Sequence, residues 1–105
     1  MAEIKWTEPA LNDLNDIAEY IAIDNLAAAK TLVSDVFDRA LRLKTFPESG
    51  RYPPELEWSR YREILVDPCR IFYRIEKDTV YILYVMRSGR TLRRFILKDR
   101  GRDGA

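Results

Sequence analysis

The chain has 105 residues, 47% apolar and 33% charged, with four Gly, five Pro, one Cys and no His. That length is one ordinary domain, and the composition excludes a disordered, collagen-like or low-complexity chain. One cysteine excludes an internal disulfide and any multi-cysteine metal site, and the lack of histidine excludes Ser/His/Asp triads, zinc hydrolases and His-based nucleases.

The net charge of +1 hides a division. Residues 1–38 carry two basic and eight acidic groups, and residues 39–105 carry sixteen basic and nine acidic. A basic half faces a polyanion or an acidic partner, or is a solvated surface of uneven sign. No stretch approaches the ~18 apolar residues of a membrane span. The first residues lack a basic region followed by an apolar one, so no signal peptide is visible. A soluble cytoplasmic protein is the expectation.

Ile4-Lys5-Trp6 reads as a short strand. Thr7 is an N-cap, with Glu8 and Pro9 in the first turn. Leu11, Leu14, Ile17, Ala18 and Ile21 trace one helical face, so the first helix runs over about 8–23. Asn25 is a second N-cap. Ala29, Leu32, Val33, Val36, Phe37, Ala40 and Leu43 form another stripe, which ends before Pro47. Two helices so close in sequence make an antiparallel hairpin.

Residues 46–59 read as a loop with Pro47, Gly50, Pro53, Pro54 and a large apolar Trp58. From Arg60 to Val66 the chain alternates, with Ile64 and Val66 on one side and Glu63 on the other. Cys69 to Glu76 is a second strand and Lys77-Asp78 a tight turn. Thr79 to Met86 is a third strand, apolar on both faces and therefore central in its sheet. Residues 91–97 form another strand or a short helix, and 98–105 a polar, frayed tail. The domain is 1–97.

Helices followed by strands argue α+β: a short N-terminal strand, then a two-helix antiparallel hairpin packed on a C-terminal antiparallel sheet, in the order β-α-α-β-β-β. The hairpin covers one face and leaves the other partly open.

Arg87, Arg90, Arg93 and Arg94 crowd eight residues with no acid among them, which calls for an external anion or strong hydration. Arg70 and Arg74 share a strand face. Arginine forks bind phosphates and carboxylates at two points, and the neighbouring aromatics can stack bases. A solvated strand edge with Arg–Glu pairs is the structural alternative. Asp13, Asp16 and Glu19 read as a solvated helix face with no metal role, and Cys69, lacking a base, as structural. Tyr73, Tyr81 and Tyr84 read as core, with Tyr81 and Tyr84 on opposite faces.

The sequence resembles the ParE branch of the RelE/ParE toxin superfamily of bacterial type II toxin–antitoxin modules. The resemblance rests on Trp6-Thr7-Glu8-Pro9-Ala10, then Leu14, Ile17, Tyr20 and Ile21, then Phe46-Pro47-Glu48-Ser49-Gly50-Arg51. It continues through Tyr61-Arg62-Glu63, Arg70-Ile71-Phe72-Tyr73-Arg74 and the run from Val80 to Arg87. It implies a toxin held by a ParD-like antitoxin. ParE members poison DNA gyrase, whereas RelE members cut mRNA on the ribosome. RelE-type cleavage needs a base, an acid and cations on the phosphate. Here no histidine exists, the last tyrosine is Tyr84, and arginine is a poor base. A RelE-like site would fall to Arg62, Arg70 and Arg87 alone.

The expectation is a gyrase-binding toxin that is not itself an enzyme and needs no cofactor. Its gyrase-facing residues would be Arg87, Arg90, Arg93, Arg94 and Phe95. An antitoxin helix would lie over Leu41, Phe46, Trp58, Ile64, Phe72 and Arg74. The alternatives are a ribosome-dependent mRNA endonuclease and a non-toxic interaction or nucleic-acid-binding domain. Direct nucleic-acid binding is not expected of the gyrase reading.

Overall fold

A computed structural model describes residues 1–56 and 59–103, without the side chains of 94 and 101–103. Strand β1 (Glu3–Trp6) leads into helix α1 (Glu8–Asp24) through Thr7. Thr7 holds an extended backbone, its hydroxyl oxygen accepts from Ala10 N, and Pro9 fills a first-turn position whose N–H would have no partner. A single residue separates α1 from α2 (Leu26–Leu41). Asn25 ends one helix by donating its N–H to Ile21 O at 2.9 Å. It starts the next by accepting from Ala28 N at 3.0 Å. The apolar stripe of α2 continues into a 3-10 turn, Arg42–Lys44, where Leu43 is buried.

Strands β2 (Tyr61–Val66), β3 (Cys69–Glu76) and β4 (Thr79–Arg87) form an antiparallel meander. The sheet order is β1-β4-β3-β2, with β1 parallel to β4. The strand expected to be central, β4, does lie between two neighbours. The hairpin joining β3 to β4 puts Lys77 at φ 54°, a left-handed conformation that a glycine would take without a Cβ clash.

The helices cover one face of the sheet. Leu14, Leu32, Val36 and Leu43 meet Ile64, Ile71, Tyr73, Val80, Ile82 and Val85 there. Trp6 and Phe37 close its edge with ring centroids 4.9 Å apart.

The other face is not open as expected. A helix, α3 (Arg94–Asp103), stands where a frayed tail was expected from residue 98. Leu92 and Leu97 pack with Phe72, Leu83 and Met86 into a second core on that face, and Leu56 of a 3-10 turn (Pro54–Leu56) joins them. Burying a leucine is worth about 1.5–3 kcal/mol, enough to dock a short charged helix that would not persist alone.

Two readings of the strands change. A bulge sets Phe72 opposite Tyr84 but Tyr73 opposite Ile82, so Leu83 is an extra residue in β4. The extra residue inverts the alternation, and Tyr81 and Tyr84 both pack on the second core. Glu63, which the structural alternative placed at a solvated strand edge, is 1% exposed on the same side.

Strand β1 pairs with β4 only as far as Ile82. Beyond it, Val85 N donates to Asp13 Oδ2 at 3.1 Å, and Arg100 Nη1 donates to Leu83 O at 3.1 Å. Asp13 and Arg100 also pair directly. Asp13 is therefore a tie between α1, β4 and α3, where a solvated position was expected. Among the described residues, no helix is long and apolar enough to cross a membrane.

Candidate functional site

The chain leaves β4 at Arg87, turns through residues 88–91 and re-enters as α3. Leu92 is buried on this path, while Arg90, Arg93 and Phe95 are exposed. The alternation comes from the second core, which takes the leucines and leaves the cations outside. Arg87 stands 5.4 Å over the ring of Tyr20 on α1. Arg94 opens α3, and its side chain lies outside the described residues. A cleft of about 770 Å³ separates α1 from the end of β4. Asp13, Asp16 and Tyr20 line one wall, and Tyr84, Met86, Arg87 and Arg90 the other.

Arg62, Arg70 and Arg87 do not converge. Arg62 pairs with Tyr73 and shares the helix-side face with Ile64 and Val66. Its Nη1 donates to Glu48 O and Gly50 O at 3.1 and 2.9 Å, and Nη2 to Tyr52 Oη at 3.1 Å. These bonds fasten the loop after α2. The same loop is fixed by Tyr73, whose hydroxyl donates to Pro47 O at 2.7 Å and accepts from Gly50 N at 2.9 Å. Burial pushes the Tyr73 hydroxyl pKa up, away from proton-transfer duty near neutrality.

Arg70 lies on the opposite face, and all five of its N–H donors are occupied. Nε and Nη2 donate to the two oxygens of Glu63 at 2.7 and 2.9 Å. Nη2 and Nη1 donate to the two oxygens of Glu55 at 2.7 and 2.9 Å. The fifth goes from Nη1 to Arg90 O at 3.1 Å. Glu55 Oε2 also accepts from Leu92 N at 2.9 Å. Arg70 holds the Glu55 carboxyl down to a pKa of about 2, and the two carboxylates push the guanidinium pKa further up. A fork so filled has no donor left for a phosphate.

The expected antitoxin contacts also separate. Leu41 and Phe46 are 56% and 65% exposed. Ile64 is in the helix-side core and Phe72 in the second core, where its ring stacks on Tyr84. Arg74 is 3% exposed, 4.6 Å over Tyr81 and paired to Glu76. None of these three presents a surface, because strand and bulge turn them inward. Trp58 lies outside the described residues.

Comparison with known proteins fits this frame. A family model described as "ParE toxin of type II toxin-antitoxin system, parDE" matches residues 4–92. The chain belongs to the ParE toxin family. It is 36% identical over 85 residues to the Y4kP protein of Sinorhizobium fredii, covering 81% of this chain and 86% of that one. It is 32% identical over 91 residues to toxin RelE2 of Caulobacter vibrioides, covering 86% and 99%. Its fold matches a chain of the chromosomal ParDE toxin–antitoxin system from P. aeruginosa with a TM-score of 0.70, at 23% identity over 83% of this chain and 96% of that chain. A chain of the toxin–antitoxin complex RelBE2 from Mycobacterium tuberculosis matches at 0.57, with 27% identity over 82% and 96%. The family match stops at Leu92, so α3 lies outside it.

Sequence reasoning missed Glu55, Asp13 and Arg100 as partners in this architecture, and it offered Glu63 as an arginine partner only on a solvated edge. Leu92 and the short apolar run Phe95-Ile96-Leu97, set among charges, were the available sign that the C-terminal segment docks.

Proposed function

We propose that this toxin of a type II module acts in the cytoplasm by binding DNA gyrase, through Arg87, Arg90, Arg93, Arg94 and Phe95, and that a ParD-like antitoxin neutralises it. The observation that carries the reading is the placement of the cations. Arg62 and Arg70 are consumed by internal bonds on opposite faces of the sheet, so a phosphate clamp of Arg62, Arg70 and Arg87 does not assemble. Arg90, Arg93 and Phe95 instead face solvent. An aromatic beside arginines, on a segment anchored by buried leucines, suits a protein partner with an acidic, partly apolar surface. On this reading the chain is a binder and not an enzyme. For the antitoxin, Leu41 and Phe46 are the expected contacts that remain exposed.

The likeness to toxin RelE2 over 99% of that protein favours a second reading, a ribosome-dependent mRNA endonuclease. Parallel titrations of antitoxin-free protein into a gyrase supercoiling reaction and a cell-free translation reaction separate the two. Loss of supercoiling with translation intact supports the gyrase reading, and the reverse pattern supports the endonuclease. A folded protein inert in both is a non-toxic interaction domain.

A further inference from the structure

The arginine segment does not hold itself in place. Its turn makes one internal backbone bond, Arg90 N to Arg87 O at 3.1 Å, and Ser88 N reaches Pro68 O at 2.9 Å. Arg93 O accepts from Ile96 N at 3.2 Å where α3 begins, and between these points the backbone is held by side chains from elsewhere in the chain. Arg70 Nη1 meets Arg90 O, and Glu55 Oε2 meets Leu92 N. Both belong to one network whose base is Glu63, a carboxylate with no exposed surface. Glu55 comes from the 3-10 turn Pro54–Leu56 and Arg70 from β3, so the network joins a loop, the sheet and the arginine segment. The Leu92 side chain then enters the second core directly after the held amide.

From this arrangement we infer that Glu55 and Arg70 are positioning residues for gyrase recognition: they fix the backbone at Arg90 and Leu92 so that Arg90, Arg93 and Phe95 are presented as one surface. The inference rests on the gyrase reading and adds to it the residues that build the surface without touching the target. A pre-ordered segment does not have to be ordered at the moment of binding, which is a cost that free loops bear. Lysine cannot replace Arg70 in this role, since three donors on one nitrogen cannot serve two carboxylates and a carbonyl on three sides.

The test uses the full chain in three variants. Glu55→Ala removes the acceptor of the Leu92 amide. Glu55→Gln keeps one oxygen, able to take both N–H groups that meet Oε2. Val36→Ala opens the helix-side core, far in the fold from the segment, and serves as a control of lowered stability. Amide exchange of residues 90–92 and half-inhibitory concentration on gyrase are both measured. Glu55→Ala is expected to speed local exchange and raise the half-inhibitory concentration by roughly tenfold or more. Glu55→Gln should fall between it and the parent, and Val36→Ala should leave both readouts near parental. Unchanged exchange at 90–92 in Glu55→Ala overturns the inference, as does unchanged potency alongside faster exchange, or an equal loss in Val36→Ala. If the parent protein does not inhibit gyrase at all, the target reading falls, and the exchange data still decide whether Glu55 holds the segment.

Discussion

Replacing Arg70 by methionine separates a scaffold arginine from a phosphate-binding one. Its side chain is 6% exposed, and Glu63, which takes two of its N–H groups, is 0% exposed. Without Arg70, the cation left beside Glu63 among the described residues is Arg51, its Nε at 3.4 Å on a side chain that is 54% exposed. Glu55, 21% exposed, can recover some water. Removing one partner of a buried pair costs about 3–5 kcal/mol, because a desolvated charge is left behind. A domain of this kind has roughly 5–15 kcal/mol in total. Urea unfolding should therefore shift its midpoint down by about 2 M, given slopes of about 1–3 kcal/mol/M for small proteins. The double variant Arg70→Met/Glu63→Leu removes the orphaned charge together with its partner. It should regain most of the loss, giving a coupling of about 2–3 kcal/mol in the cycle. A midpoint within about 0.5 M of the parent for Arg70→Met, or strictly additive single variants, would refute the scaffold account. Arginines kept free for phosphate give that second pattern, since their loss abolishes function and spares stability.

Three other outcomes follow from particular contacts. A Cβ on Gly50 would stand 2.5 Å from Tyr73 Oη and 2.8 Å from Glu63 O; Gly50→Ala should cost about 1–3 kcal/mol in urea unfolding by forcing that loop off the sheet. Lys77 sits at φ 54° in the hairpin; Lys77→Gly should raise stability by about 0.5–1 kcal/mol, since relief of the left-handed strain exceeds the added chain entropy. The Glu55 carboxyl is held at a pKa of about 2, below its ordinary value of 4.5. A depressed carboxylate contributes stability above its unfolded pKa, and that contribution is lost as the pH falls from there toward 2. Thermal melts across that window should fall more steeply for the parent than for Glu55→Ala, and parallel curves would show that the pairing adds nothing.

Much of this fold is legible in the residues. Thr7 and Asn25 announce their helices by chemistry that acts within three residues. The apolar stripes of α1 and α2 and the doubly apolar β4 follow from local periodicity. What escapes a linear reading depends on register or distance. Glu63 and Arg70 are seven apart, and only the pairing of Leu65 with Arg70 and Glu63 with Phe72 makes them diagonal neighbours on one face. The bulge at Leu83 leaves no local mark because residues 80–86 of β4 are apolar or aromatic without a break, yet it decides which way Tyr81 and Tyr84 point. Helix α3 is mostly charged, and its docking depends on Leu97 and on an Arg100–Asp13 pair that spans 87 positions. The candidate site was legible as a cluster of arginines, and its frame was not.

Plasmid supercoiling by purified gyrase, titrated with antitoxin-free parent protein and with Arg90→Glu/Arg93→Glu, tests the central claim most directly. Both residues are exposed, so the double variant should fold as the parent does. The account predicts inhibition by the parent and a half-inhibitory concentration at least about tenfold higher for the charge-reversed form. Equal inhibition by both proteins, or none by a folded parent, would contradict it.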